Sequence, residues 1–167
     1  MDQASSALLA SLLHGRSVAA IATLHDGLPS ASMIPFAVEA DVGGRLRLVT
    51  HVSRLSAHTR DMLETPDVCL LITAPESPGT MPQALPRVSI PARASFVDPL
   101  HDDHAELRRI YVEKFPSAAD LFQLGDFSIV VLEPTSARFV AGFARAMTLT
   151  PAQLHAAVRG WREDRHA

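Results

Sequence analysis

Cysteine is almost absent from this sequence, Cys69 being the only one. A lone thiol excludes an internal disulfide and any multi-cysteine metal centre, and it fits a reducing compartment. No apolar run approaches the ~18 residues of a membrane helix. The N-terminus lacks the basic-then-apolar order of a secretory leader, since Asp2 comes early and Ser11, His14 and Arg16 interrupt the apolar pattern. Excess positive charge is missing too: the net charge is −3 and the pI ≈ 6.2. That balance offers no broad surface to nucleic acid or to an acidic membrane. There is no Gly-x-Gly-x-x-Gly fingerprint, phosphate-loop Gly-Lys-Ser/Thr, Gly-x-Ser-x-Gly turn or His-Glu-x-x-His. A Rossmann dehydrogenase, a nucleotide hydrolase, an esterase and a zincin are thereby set aside. Repeats and low-complexity tracts are absent as well.

What is present is a chain of 167 residues, 47% apolar and 20% charged. That is enough for one globular domain spanning residues 1–167, expected to be soluble and cytoplasmic. Residues 5–14 place Ala7, Leu8, Leu9, Leu12 and Leu13 at helical spacing and stop at Gly15, a usual residue after a helix. Residues 17–24 read as a strand, and Asp26-Gly27 supplies a hairpin turn. A second strand follows over 29–39. The turn 41–44 leads to a third, 45–50, that alternates polar and apolar residues. After a helix over 56–64, residues 67–73 have the length of a buried strand, with Cys69 as a small apolar side chain.

Residues 74–86 carry five prolines or glycines and form a loop. Residues 87–97 resume as a strand, which Pro91 restricts to an edge or a bulge. Asp98-Pro99 opens a helix that ends near Phe115-Pro116, and residues 127–133 and 136–140 form a closing pair of strands. Thr150-Pro151 starts a last helix through about residue 161. This order gives a mostly β, α+β fold, an antiparallel barrel with helices packed around it.

Chemistry concentrates in residues 50–66, where hydroxyls, two arginines and two histidines crowd a strand-to-helix junction. A helix start offers unpaired N–H groups and a positive dipole end, a natural seat for phosphate. His101 and His104, with Asp102 and Asp103, have metal-compatible spacing, but they read as a solvated helix start and no metal site is assigned.

The stretches Val18-Ala-Ala-Ile-Ala-Thr23, Gly27-Leu-Pro-Ser-Ala-Ser-Met-Ile-Pro35, Leu48-Val-Thr50 and Ser53-x-Leu-Ser-Ala-His-Thr-Arg-Asp61, closed by Pro66, stand in a telling order. With Pro86-Arg-Val-Ser-Ile90, Gly125-Asp-Phe127 and residues 138–146, they resemble the pyridoxamine-5′-phosphate-oxidase-like flavoproteins, and most the haem-utilisation branch. The resemblance implies an FMN-binding antiparallel split barrel and a homodimer with the flavin at its interface. It sets Ser30, Ser32, Met33 and Pro35 beside the flavin. Thr50, Ser53, His58, Thr59 and Arg60 would surround its phosphate, and Arg87 would reach it from the neighbouring subunit. Ser32 departs from the true oxidases, where an arginine is frequent. Phe143 is expected in the core.

The implied function is that of an FMN-dependent oxidoreductase of unassigned small-molecule substrate, with no catalytic side chain assigned. Pyridoxamine-phosphate oxidation is disfavoured, since Arg145 is the one strong candidate for that substrate's arginines. Two alternatives stand beside it: a haem-binding or haem-degrading protein, and a flavin-binding module without turnover. His155 and His166 offer nitrogens for haem, although histidines on a terminal helix are expected to be solvated.

Overall fold

In the computed structural model, residues 1–164 are described, with side chains to residue 159. Helix α1 (Gln3–Gly15) starts where Asp2 Oδ1 accepts the Ser5 backbone N–H at 2.7 Å. This cap satisfies a first-turn donor that has no partner inside the helix. Leu9, Leu12 and Leu13 are buried and join Leu154 and Val158 of α4 (Pro151–Asp164) in one apolar cluster. The helix ends at Gly15 and Arg16 is already extended, so Gly15 is the last helical residue rather than the stop that follows it.

Among the described residues nine strands form a single antiparallel sheet. They are β1 (Val18–His25), β2 (Leu28–Pro35), β3 (Ala37–Ala40), β4 (Leu46–Ser53), β5 (Asp67–Thr73), β6 (Arg87–Phe96), β7 (Phe127–Pro134), β8 (Ala137–Val140) and β9 (Ala146–Leu149). Their order is β2-β1-β5-β6-β7-β4-β3, with β8 on β6 and β9 on β8, and the ladder does not close. This is the mostly β, split-barrel architecture the sequence implies, with helices around it.

The first hairpin forms as its turn residues require: Asp26 and Gly27 have φ of 50° and 76°, the pair of positive values that matches the strands' twist. The second expected strand is two strands. β2 and β3 are joined only at Phe36, a fully buried residue whose N–H donates to Ser17 O at 3.1 Å. One run of chain thereby supplies both ends of the strand order, and the sheet wraps around a common core. Ile21, Ile34, Leu48, Leu70, Ile90 and Phe139 fill that core, each worth about 1.5–3 kcal/mol of apolar burial.

Pro91 sits inside β6, an interior strand, rather than at an edge. β8 pairs with residues 87–89 and β7 with residues 92–96. The missing N–H therefore falls where one partner gives way to the next, and Pro91 O accepts Thr135 N–H at 2.9 Å. β9 is an addition to the expected strands, reached through Gly142 and Ala144, both at positive φ.

The outer face of β4 and β7 carries a second layer. The helix expected from Asp98 begins later, as α3 (His104–Lys114), and a 3-10 stretch, Pro116–Gln123, follows it. Leu107, Ile110, Tyr111 and Ala118 pack there on Val49, Ile129 and Val131. β4 is consequently buried on both faces, including Arg47, which pairs with Glu39 and Asp103. The alternation over residues 45–50 does not reveal this second burial, because α3 is distant in sequence.

Candidate functional site

Helix α2 (Ala57–Glu64) lies against β1 and β2. Strand alternation turns Thr23 and His25 of β1, and Ser30 and Ser32 of β2, to the same side, with Thr23 opposite Ser30. Turns of α2 three and four residues apart present His58 and Asp61 to them. Asp61 is buried. Its Oδ2 accepts the Thr23 hydroxyl at 2.6 Å and its Oδ1 lies 2.7 Å from His25 Nδ1. The Thr23 hydrogen bond, then His25, hold the Asp61 carboxyl below its ordinary value, and Asp61 in turn raises the half-exposed His25 imidazole. Beside them His58 Nδ1 is 3.1 Å from Ser32 Oγ, and burial pushes the His58 pKa down. The Ser32–His58 pair is thus uncharged near neutral pH.

The other sequence-selected residues divide among three places. Met33, Pro35 and Arg87 lie on the opposite, outer side of the sheet, where Met33 is 61% exposed. Arg87 turns back along its own loop, donating through Nη1 to Gln83 O and Leu85 O at 3.3 and 3.0 Å. Thr50, Ser53 and Thr59 are held in internal hydrogen bonds. Thr50 donates to Pro35 O, Ser53 to Asp126 Oδ2 and Thr59 to Ser53 O, each at 2.7 Å. Arg60 is exposed on α2. Of Thr50, Ser53, His58, Thr59 and Arg60, Arg60 is the one permanent cation and it is exposed, while the hydroxyls of Thr50, Ser53 and Thr59 already donate to internal acceptors.

Several expectations are corrected. Phe143 is 70% exposed and lies outside the core. His155 is buried, with Nε2 2.8 Å from Asp41 O, so it anchors α4 to the β3–β4 turn rather than facing solvent. His166 lies outside the described residues. Arg145 is tied to the start of α1, donating to Ser5 Oγ at 3.0 Å and to Asp2 Oδ2 at 3.3 Å. Asp103 pairs with Arg47, and His101 Nδ1 accepts the Asp103 N–H. Thr23, His25 and Asp61 were absent from the sequence-selected set. The alternation of β1 puts Thr23 and His25 on one face, but their partner is 36–38 residues away.

Comparison with known proteins agrees with this fold. The chain is 36% identical over 123 residues to the chloroplastic haem oxygenase HOZ of Arabidopsis thaliana, covering 73% of this chain and 35% of that protein. It is 29% identical over 121 residues to the haem oxygenase HutZ of Vibrio cholerae, covering 72% of this chain and 66% of HutZ. It therefore spans about a third of one relative and just under two thirds of the other. The structure of a haem-binding protein from Mycobacterium smegmatis superposes with a TM-score of 0.78 at 26% identity, over 93% of this chain and 62% of that one. The structure of HutZ, described as a haem storage protein, gives 0.62 at 26% identity, over 71% and 82%. The family model for pyridoxamine 5′-phosphate oxidase matches residues 6–141, and on that match, with these relatives, the chain belongs to the pyridoxamine-5′-phosphate-oxidase-like family, near its haem-utilisation branch.

Proposed function

We propose that this protein binds haem and acts in haem breakdown, rather than using FMN as a resident cofactor. The observation that carries the reading is the uncharged Ser32–His58 pair. It stands where the family resemblance calls for phosphate-binding charge, in a chain whose relatives are named for haem. A phosphate dianion brought there would lose hydration without gaining a buried cation. Haem asks for something else, namely an imidazole for iron and apolar surface for the porphyrin plate.

The chain offers the imidazole on the α2 side of β1 and an apolar surface on the opposite side of the sheet. His25 is held through Nδ1 by a buried carboxylate, and that arrangement fixes the ring and strengthens Nε2 as a ligand. The outer face of β2 and β1, continued by Cys69 and Leu71 of β5, is apolar and uncovered. In its rows Met33 is beside Ala20 and Leu71, and Ala31 beside Ala22 and Cys69. An apolar face of this kind supports pairing of two copies through it. Among the described residues no helix is long and apolar enough to cross a membrane.

The test is a spectroscopic titration of the purified chain with haem, run beside FMN. The expected result is a saturable Soret shift with haem at micromolar protein, altered in His25→Ala, and no comparable uptake of FMN. Protein that purifies with stoichiometric FMN and leaves the haem spectrum unchanged would reinstate the flavin oxidoreductase reading. Breakdown is then followed as loss of the Soret band with a reductant and oxygen supplied.

A further inference from the structure

On the α3 side of β4, opposite the barrel core, there is a cavity of about 250 Å³ between β4, β7, the start of α3 and the end of the 3-10 stretch. It is smaller than the roughly 300–1,000 Å³ usual for drug-sized ligands. His51 is part of its wall and is only 6% exposed. The imidazole lies flat on Phe122, with ring centroids 3.8 Å apart and planes within 7°, and Phe127 closes in at 5.0 Å. Burial in this aromatic box pushes the His51 pKa down to about 4. Its Nδ1 is buried and has no hydrogen-bond partner among the described residues. Buried polar atoms are nearly always paired, so such an atom beside a cavity marks a place where a partner belongs.

The rest of the wall has one electrical sign. Arg54 and His104 line it, and Arg108 stands 5.0 Å from the Phe122 ring centroid. No aspartate or glutamate is among its lining residues. Arg54 donates through Nε to Ser128 Oγ at 3.1 Å, which steadies the guanidinium at the rim. The remaining lining is largely apolar, with Val97, Leu124 and Ile129. A small cavity with aromatic walls and a cationic rim selects for a compact apolar body carrying one negative group.

We propose that this cavity is a binding site for a small organic carboxylate, its apolar body beside Phe122 and its carboxylate held by Arg54 and His104. The site is separate from the α2 site, and the inference does not depend on the haem reading. His51 offers its buried Nδ1 as a polar contact at the inner wall, where its ring is stacked on Phe122.

The probe is benzoate, with benzamide as its uncharged isostere, titrated into the full chain while the histidine ring resonances are followed by NMR. The expected result is saturable shifts of His51 and His104, with benzoate binding at least about tenfold tighter than benzamide. Arg54→Gln, a change at an exposed residue that leaves the core untouched, should weaken benzoate by about tenfold and leave benzamide unchanged. The proposal is overturned by the absence of saturable His51 shifts at millimolar benzoate, by equal binding of the two probes, or by an unchanged affinity in Arg54→Gln.

Discussion

The hydroxyl of Thr23 donates to Asp61 Oδ2 at 2.6 Å and so joins the first strand to the helix that closes the site. Asp61 is buried, and a hydrogen bond to an ionised group is worth roughly 1.5–3 kcal/mol. Thr23→Val should destabilise the fold by about that amount, read from the urea midpoint. An unchanged midpoint would mean that the contact is incidental.

The same group predicts a pH window. Asp61 is depressed in the folded state, so its contribution is present above the ordinary carboxylate value near ~3.9 and is lost as pH falls through the depressed value. His25 is raised, so its contribution is complete below ~6.5 and disappears as pH rises through the raised value. The stability difference between the native chain and Asp61→Asn should therefore be greatest between ~4 and ~6.5 and shrink on both sides. A difference that is flat with pH would remove the ion pair from the account.

Ser32→Arg restores a cation beside His58. FMN affinity should then rise by at least about tenfold while riboflavin, which lacks the phosphate, stays as it was. Parallel gains for both flavins would show that the phosphate is not bound at this point.

Arg47 is buried beneath the residues that lead into α3. Its Nη2 donates to Glu39 Oε1 at 2.7 Å, its Nη1 to Asp103 Oδ2 at 2.8 Å, and its Nε to Glu39 as well. Arg47→Met leaves Glu39 without its partner and should cost about 3–5 kcal/mol in chemical denaturation. Arg47→Met with Glu39→Leu should recover most of it. A double variant no better than the single would place the loss in packing rather than in charge.

Lys114 is the chain's only lysine. It donates to Arg16 O at 2.6 Å and stands 4.5 Å from the Phe36 ring centroid. Burial lowers its pKa to about 8. Since the unfolded value is ~10.4, the folded chain loses this proton first, and the Lys114 contribution to stability rises with pH between about 8 and ~10.4. With one lysine, its Cε resonance is unambiguous in a pH titration. A midpoint near 10.4 would contradict the burial argument.

In the proposed pairing of two copies through the outer sheet face, Leu71, 40% exposed, lies at the centre of the contact. Leu71→Glu should convert a dimer to a monomer in sedimentation equilibrium, because two carboxylates would meet in an apolar contact. A native chain that sediments as a monomer would end that reading.

Local chemistry made most of the strands legible: Asp26-Gly27 fixed the first hairpin, and the short apolar run of residues 67–73 found the bounds of β5. β9 was illegible because four residues after a glycine turn carry too little pattern. His51 read as part of a polar turn. It belongs to β4, and its significance comes from Phe122, which reaches it only after α3 has crossed the sheet. Residues 50–66 were marked correctly as a place where polar groups gather, yet Thr50, Ser53 and Thr59 are bound to groups that periodicity does not reveal. Asp61 lay within that stretch, and its partnership with β1 is a tertiary contact that no local rule reports.

Phe36 joins two ladders that lie at opposite ends of the strand order, and this limits how the gene can vary in length. One residue added within β2 or β3 would turn part of residues 28–40 inside out, because side chains alternate faces and each half is fixed to a different neighbour. The loop over residues 74–86 has no such constraint, since its neck is closed by Ala74 N–H donating to Pro86 O at 2.8 Å. Insertions and deletions should therefore fall in that loop, and residues 28–40 should keep a fixed count.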